Sequence, residues 1–101
     1  MYCYIWEYLV LPEHVEAFRI GYGSDGDWVR LFRRSADYIR TEFLQDRDDP
    51  RRFMTVDYWA SREACISFRE RVRVEFDEID ARFGRLTSSE DSLGEFDVVT
   101  A

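Results

Sequence analysis

Few residue types in this 101-residue chain could carry chemistry, and most of them are aromatic. Tyr4, Trp6, Tyr8 and Tyr58 each join a ring to one hydrogen-bond donor. Such groups could hold the oxygens of a ring-shaped ligand. They suit a core equally well, with their polar tips turned to water or backbone. His14 is the only histidine, and its unperturbed charge changes near neutral pH, so it is a candidate base. It falls just after Pro12, in the first turn of a helix, at a rim or surface position. His14, Tyr8 and Tyr58 are the candidate catalytic groups. One histidine rules out a His-rich metal site, and no acidic cluster has ligand spacing, so no metal is expected. Cys3 and Cys65 form no C-x-x-C pair, and no base adjoins them; Cys65 reads as core and Cys3 as a strand residue. Gly21-x-Gly23-x-x-Gly26 has the form of a dinucleotide fingerprint, but it follows a helical pattern instead of a strand and is read as a turn.

The elements that must position these groups are organised around residues 53–83. Phe53-Met54-Thr55-Val56-Asp57-Tyr58-Trp59 is short and rich in β-branched and aromatic residues, so it reads as a strand. Cys65, Phe68, Val72, Phe76, Ile79 and Phe83 then recur at spacings of three or four, one stripe of a helix about six turns long. Ser61 stands where an N-cap belongs, Glu63 suits the dipole in the first turn, and Gly84 follows the last apolar residue. Residues 2–11 form another strand. Its two parities, Tyr2, Tyr4, Trp6, Tyr8, Val10 and Cys3, Ile5, Glu7, Leu9, Leu11, are both mostly apolar, so both faces of the sheet must be covered. Pro12 opens a helix bearing Val15, Phe18 and Tyr22, the glycine cluster breaks it, and Asp27 caps a second short helix with Trp28, Leu31 and Phe32 on one side. Residues 38–45 pair with 53–59 across a charged turn. Residues 86–92 are polar and ill-defined, and 93–99 supply a fourth strand.

This order predicts one α+β domain over residues 1–101, with the ferredoxin-like split βαβ plan: a four-stranded antiparallel sheet with its helices on one face. The other face carries Ile5, Leu9 and Leu11. It calls for a partner, most simply a second copy, in a homodimer burying on the order of 1,500 Å². Glu7, Arg40, Glu42 and Asp57 are assigned to the same parity and hence to that interface. Each acid there would need Arg40 or a hydrogen bond, because an unpaired buried charge is too costly.

Composition excludes several roles. The net charge is −7 and the 14 basic residues are interleaved with acids, which argues against nucleic acid. No apolar run is long enough to span a bilayer, and the start lacks the pattern of a secretory leader. A reduced, cytoplasmic protein is the expectation. Aromatics make up 17% of the chain, which fits a core of large side chains and also a pocket lined by rings.

Trp6-Glu7-Tyr8-Leu9-Val10-Leu11-Pro12-Glu13-His14, followed by Phe18, resembles the first strand and helix of the antibiotic biosynthesis monooxygenase family. Asp57-Tyr58-Trp59-Ala60-Ser61-Arg62-Glu63-Ala64 resembles that family's third-strand signature, an acid, any residue, then Trp at the approach to a helix. The resemblance covers nearly the whole chain and implies a dimeric α/β barrel with a cavity between sheet and helices in each subunit. It implies that Tyr4, Trp6 and Tyr8 face Trp28, Phe32, Phe68 and Phe76 across a pocket for a small aromatic ligand. It also implies a choice of activities. Some members oxidise polycyclic aromatics or quinols without metal or flavin. Others degrade haem, with a ligand in the longer helix where this chain has no histidine. Cofactor-free oxygenation needs an electron-rich substrate that itself reduces O₂, with a dry pocket and a proton acceptor from the protein. The expected function is such a monooxygenase, acting on an aromatic or quinone-type metabolite; the alternative is a non-catalytic ligand-binding or dimerisation domain.

Overall fold

The computed structural model describes residues 1–100. Strand β1 (Tyr2–Val10) and strand β3 (Arg52–Trp59) are the central pair of a four-stranded sheet, with β2 (Tyr38–Gln45) outside β3 and β4 (Thr87–Asp97) outside β1. Every pairing is antiparallel. Four helices complete the fold: α1 (Val15–Tyr22), α2 (Asp27–Phe32), α3 (Arg62–Arg71) and α4 (Arg73–Phe83). The architecture is the ferredoxin-like α+β plan expected from the sequence. The central strands are the ones with apolar residues on both parities.

Register decides which side chains meet the helices. Tyr2, Tyr4, Trp6 and Tyr8 stand opposite Trp59, Asp57, Thr55 and Phe53 on β3, and Thr41 and Phe43 on β2 stand opposite Asp57 and Thr55. Directly opposed residues share a face, so these form rows beneath the helices. Phe18, Val10, Phe53, Trp59 and Cys65 are fully buried there. The other face carries Cys3, Ile5, Glu7 and Leu9 with Arg40, Glu42, Leu44, Arg52, Met54, Val56 and Tyr58. Several of its charged residues are bonded within the chain. Arg52 bonds Glu7 and, at 2.9 Å, Asp46. The Tyr58 hydroxyl donates to Glu42 at 2.5 Å, and the Arg40 guanidinium lies 4.2 Å from the Tyr58 ring centre.

Three sequence expectations change, the least of them that Gly26 and not Asp27 is the N-cap of α2. The single helix over the apolar stripe is two, because Val72 leaves the helical region (φ −108°, ψ 24°) between α3 and α4. The break lets buried Val72 keep its place while Phe76 meets Trp28 (4.8 Å) and Phe83 meets Tyr22 (5.6 Å). Ser61 does cap α3, accepting from the Ala64 N–H at 3.1 Å. The second change is at the last strand, which begins at Thr87 and takes in most of the polar stretch 86–92. As an edge strand with exposed side chains it is held by ladder bonds to β1, so it needs no hydrophobic alternation.

The glycine motif is a packing device. A β-carbon at Gly26 would lie 2.2 Å from the Gly21 carbonyl oxygen, and one at Gly21 would lie 2.4 Å from the Phe83 ring. The α1–α2 turn therefore closes on itself and on α4 only with hydrogen at both positions.

Candidate functional site

Between the sheet rows and the helices lies a cavity of about 270 Å³. Two aromatic groups wall it off. Tyr8, Phe18, Tyr22, Phe43 and Phe53 pack together on one side, with Phe18 and Tyr22 stacked at 4.1 Å. On the other side Phe32, Tyr38 and Phe68 surround Trp59 at 5.4–5.5 Å. Tyr4 and Trp6 rise from β1 into the space between, and Trp28, Phe32 and Phe76 come down from the helices. The chain has enough rings to fill a core and to line a pocket, and it does both.

The polar groups of the cavity are few and converge. Asp57 is only 6% exposed and makes no ion pair among the described residues. Its Oδ1 accepts from the Thr41 hydroxyl at 2.5 Å, and the Thr41 oxygen is bonded to the Tyr38 hydroxyl at 2.7 Å. Burial pushes the Asp57 carboxyl up to about 6, against the pull of the Thr41 hydroxyl and, less strongly, the Tyr4 phenol, which both favour the anion. Burial and the negative charge of Asp57 push Tyr4 well above the usual range for a phenol. The Arg69 guanidinium opposes that rise, and the buried Trp59 Nε1 falls short of hydrogen-bond geometry with any acceptor. Glu90 is also raised, first by burial; it accepts from Thr87 at 3.0 Å and feels Asp80 across the cavity. Arg69 is the cavity's only cation, 4.7 Å from the centre of the Phe76 ring. The arrangement suits a flat apolar molecule with an acidic proton: rings hold it, and one carboxylate poised near neutrality can take the proton.

Of the sequence candidates, Tyr4, Trp6, Trp28, Phe32 and Phe76 line the cavity. Tyr8 and Phe68 do not. Tyr8 is buried beside it with its hydroxyl 2.8 Å from Thr55 Oγ1, and Phe68 packs behind Trp59. Tyr58 is on the open face and His14 in the 3₁₀ turn Pro12–His14, so neither candidate catalytic group reaches the cavity. Asp57, assigned to the open face, is inside. It stands opposite Tyr4 and two residues before buried Trp59, and a strand repeats its faces every two residues. Ile5, Glu7, Leu9, Arg40 and Glu42 are on the open face. Thr41, Thr55, Tyr22, Arg69 and Glu90 line the cavity unannounced by the sequence. The described residues contain no cluster of three or more His, Cys, Asp or Glu that could hold a metal, and no helix among them is long and apolar enough to cross a membrane.

Element order and sheet topology give the chain the ferredoxin-like α+β fold found in antibiotic biosynthesis monooxygenases. The similar solved structures include SnoaB, a cofactor-independent oxygenase from Streptomyces nogalater (15% identity, TM-score 0.72, covering 99% of this chain and 94% of that one). They also include a protein from Nitrosomonas europaea provisionally called an antibiotic biosynthesis monooxygenase (18%, TM-score 0.74, 99% and 100%). A third is a conserved protein from Methanosarcina mazei Go1 (14%, TM-score 0.71, 94% and 89%). What these identities share with the chain is the fold. No family model matches the sequence, and no curated protein matches it.

Proposed function

We propose that this protein is a cofactor-independent monooxygenase acting on a small hydroxyaromatic or quinol-type compound, with Asp57 as the proton acceptor. The observation that carries the reading is a buried carboxylate, unpaired by any cation, at the floor of an aromatic cavity. Asp57 removes the acidic proton of the bound ring, and the resulting electron-rich anion passes electrons to O₂. For a ring CH₂ the overall change is CH₂ + O₂ → C=O + H₂O. One oxygen atom enters the carbonyl and the other leaves as water, the substrate supplying every electron. The apolar walls keep bulk water from the anion. The fold shared with an oxygenase that needs no cofactor supports this reading without naming the substrate.

Oxygen uptake with anthrone, a quinol and a flavonol tests it. One O₂ consumed per product with at least one of them is the expected result. Tight binding with no uptake from any of them would leave a ligand-binding domain instead.

The open sheet face fits a second copy of the chain. Leu44 and Phe96 are nearly half exposed on it, beside Ile5, Leu9 and Met54, and Glu7 and Arg52 there are already paired. Back-to-back association would bury these apolar residues with the Glu7–Arg52 pair intact. Sedimentation equilibrium at micromolar concentration should return twice the 12.2 kDa chain mass, and Leu44→Glu should shift it toward one copy. A stable single chain would exclude this interface.

A further inference from the structure

We infer that Thr41 and Tyr38 form a proton relay joining the Asp57 carboxyl, inside the cavity, to solvent in a second pocket beside β2. The inference rests on the proposed role of Asp57 as proton acceptor.

The relay is built by an irregularity in the strand. Residues three apart on a regular strand point to opposite faces. Tyr38 and Thr41 are three apart, yet they stand opposite Trp59 and Asp57, which share a face. The register shifts between Tyr38 and Arg40, and the extra residue turns Tyr38 back to the side of Thr41. Without the bulge the phenol would face the open side and nothing would bond the Thr41 oxygen from behind. With it, the hydroxyls lie in line: Tyr38 to Thr41 at 2.7 Å, Thr41 to Asp57 at 2.5 Å.

The line runs between two spaces. The second pocket, about 250 Å³, lies between β2 and the helices and is lined by Tyr38, Thr41, Tyr22, Val29 and Arg33 among others. Thr41 borders both spaces, Asp57 only the cavity, and Tyr38 only the second pocket. A ligand filling the cavity covers Asp57 from that side. Its remaining outlet is through Thr41.

In the resting state the single Thr41 proton goes to Asp57, so its oxygen accepts from Tyr38. Once Asp57 holds a substrate proton its own O–H donates to Thr41, and both hydroxyls rotate about their C–O bonds to point outward. The Asp57 O–H then breaks as a new Thr41 O–H forms. The former Thr41 O–H breaks as a new Tyr38 O–H forms, and the former Tyr38 proton leaves to water. Asp57 is a carboxylate again, both hydroxyls are intact, and one proton has moved. No oxidant or reductant takes part.

The test uses anthrone as probe, in oxygen-free D₂O. Its enolate absorbance reports removal of the proton by Asp57, and deuterium gained by its CH₂ above the protein-free rate reports exchange of that proton with solvent. Tyr38→Phe keeps the ring that packs on Phe32 and Trp59 (5.7 and 5.4 Å) and deletes only the outer hydroxyl. It should form the enolate while its exchange per enolate falls by about tenfold or more. Thr41→Ser, which keeps a hydroxyl, should exchange like the wild type. Wild-type exchange in Tyr38→Phe would overturn the relay and leave the base in place. An absence of enolate with the wild-type protein would remove the base, and the relay with it.

Discussion

Asp57→Asn should lower oxygenation by about 10²–10⁴-fold and, at the same time, make the folded chain more stable above pH 6. The two effects have one origin. Burial raises the carboxyl from its ordinary 3.8 to about 6, so the native state binds this proton more tightly than the unfolded chain does. Between those two values the folded protein holds more protons than the unfolded one. Stability therefore falls as pH rises through the window, and the full deficit is present above about 6. At 1.36 kcal/mol per pH unit that deficit is about 3 kcal/mol. Asparagine brings no charge to desolvate, and its side-chain carbonyl can still accept from Thr41. Urea melts of both proteins at pH 4 and pH 7.5 check this: the advantage of the variant should grow by up to about 3 kcal/mol between the two. An equal advantage at both values would mean that the carboxyl is not desolvated in the native protein. What makes Asp57 a good acceptor is what makes it expensive to keep, a trade found at many active sites.

Trp59→Ala should cost about 3–5 kcal/mol, a large share of the 5–15 kcal/mol that holds a domain of this size together. Trp59 is fully buried, with Phe32, Tyr38 and Phe68 around it at 5.4–5.5 Å. It backs Phe32, which lines the cavity, and supports the ring of Tyr38. Its Nε1 has no hydrogen-bond partner, so Trp59→Phe removes a buried donor along with part of the ring and should cost much less than alanine. Urea midpoints of the two variants give the comparison. An alanine variant within 1 kcal/mol of the wild type would show that the cavity wall does not depend on this ring.

The fold could be read from the letters because its signals are local and repeated. The two apolar parities of residues 2–11, the three-and-four spacing from Cys65 to Phe83 and the cap at Ser61 each state an element, and their order states the topology. The aromatic lining was readable in part for the same reason, since Tyr4 and Trp6 follow strand parity. The polar centre of the cavity was not read, although Asp57 had a usable clue: it lies two residues before a tryptophan that the core was bound to claim. Thr41 had no such clue, because its role depends on a bulge in β2 and on pairing with β3, which is not written in neighbouring residues. The attraction of His14 as a base came from residue type alone, and type does not place a side chain.

Strand β4 is eleven residues long, and one of its sides has no neighbour. Such a margin invites another strand to zip on, and each addition would offer a fresh margin to the next. Two shifts in register interrupt it, one where Gly94 takes φ 125°, and exposed Asp91 and Asp97 give it negative charge. Incoming chains meet a crooked, repelling border there, while the greasy back of the sheet lies open. Such a border disfavours association at the rim, which would run on as a filament, and so favours the closed pair proposed for the sheet's back.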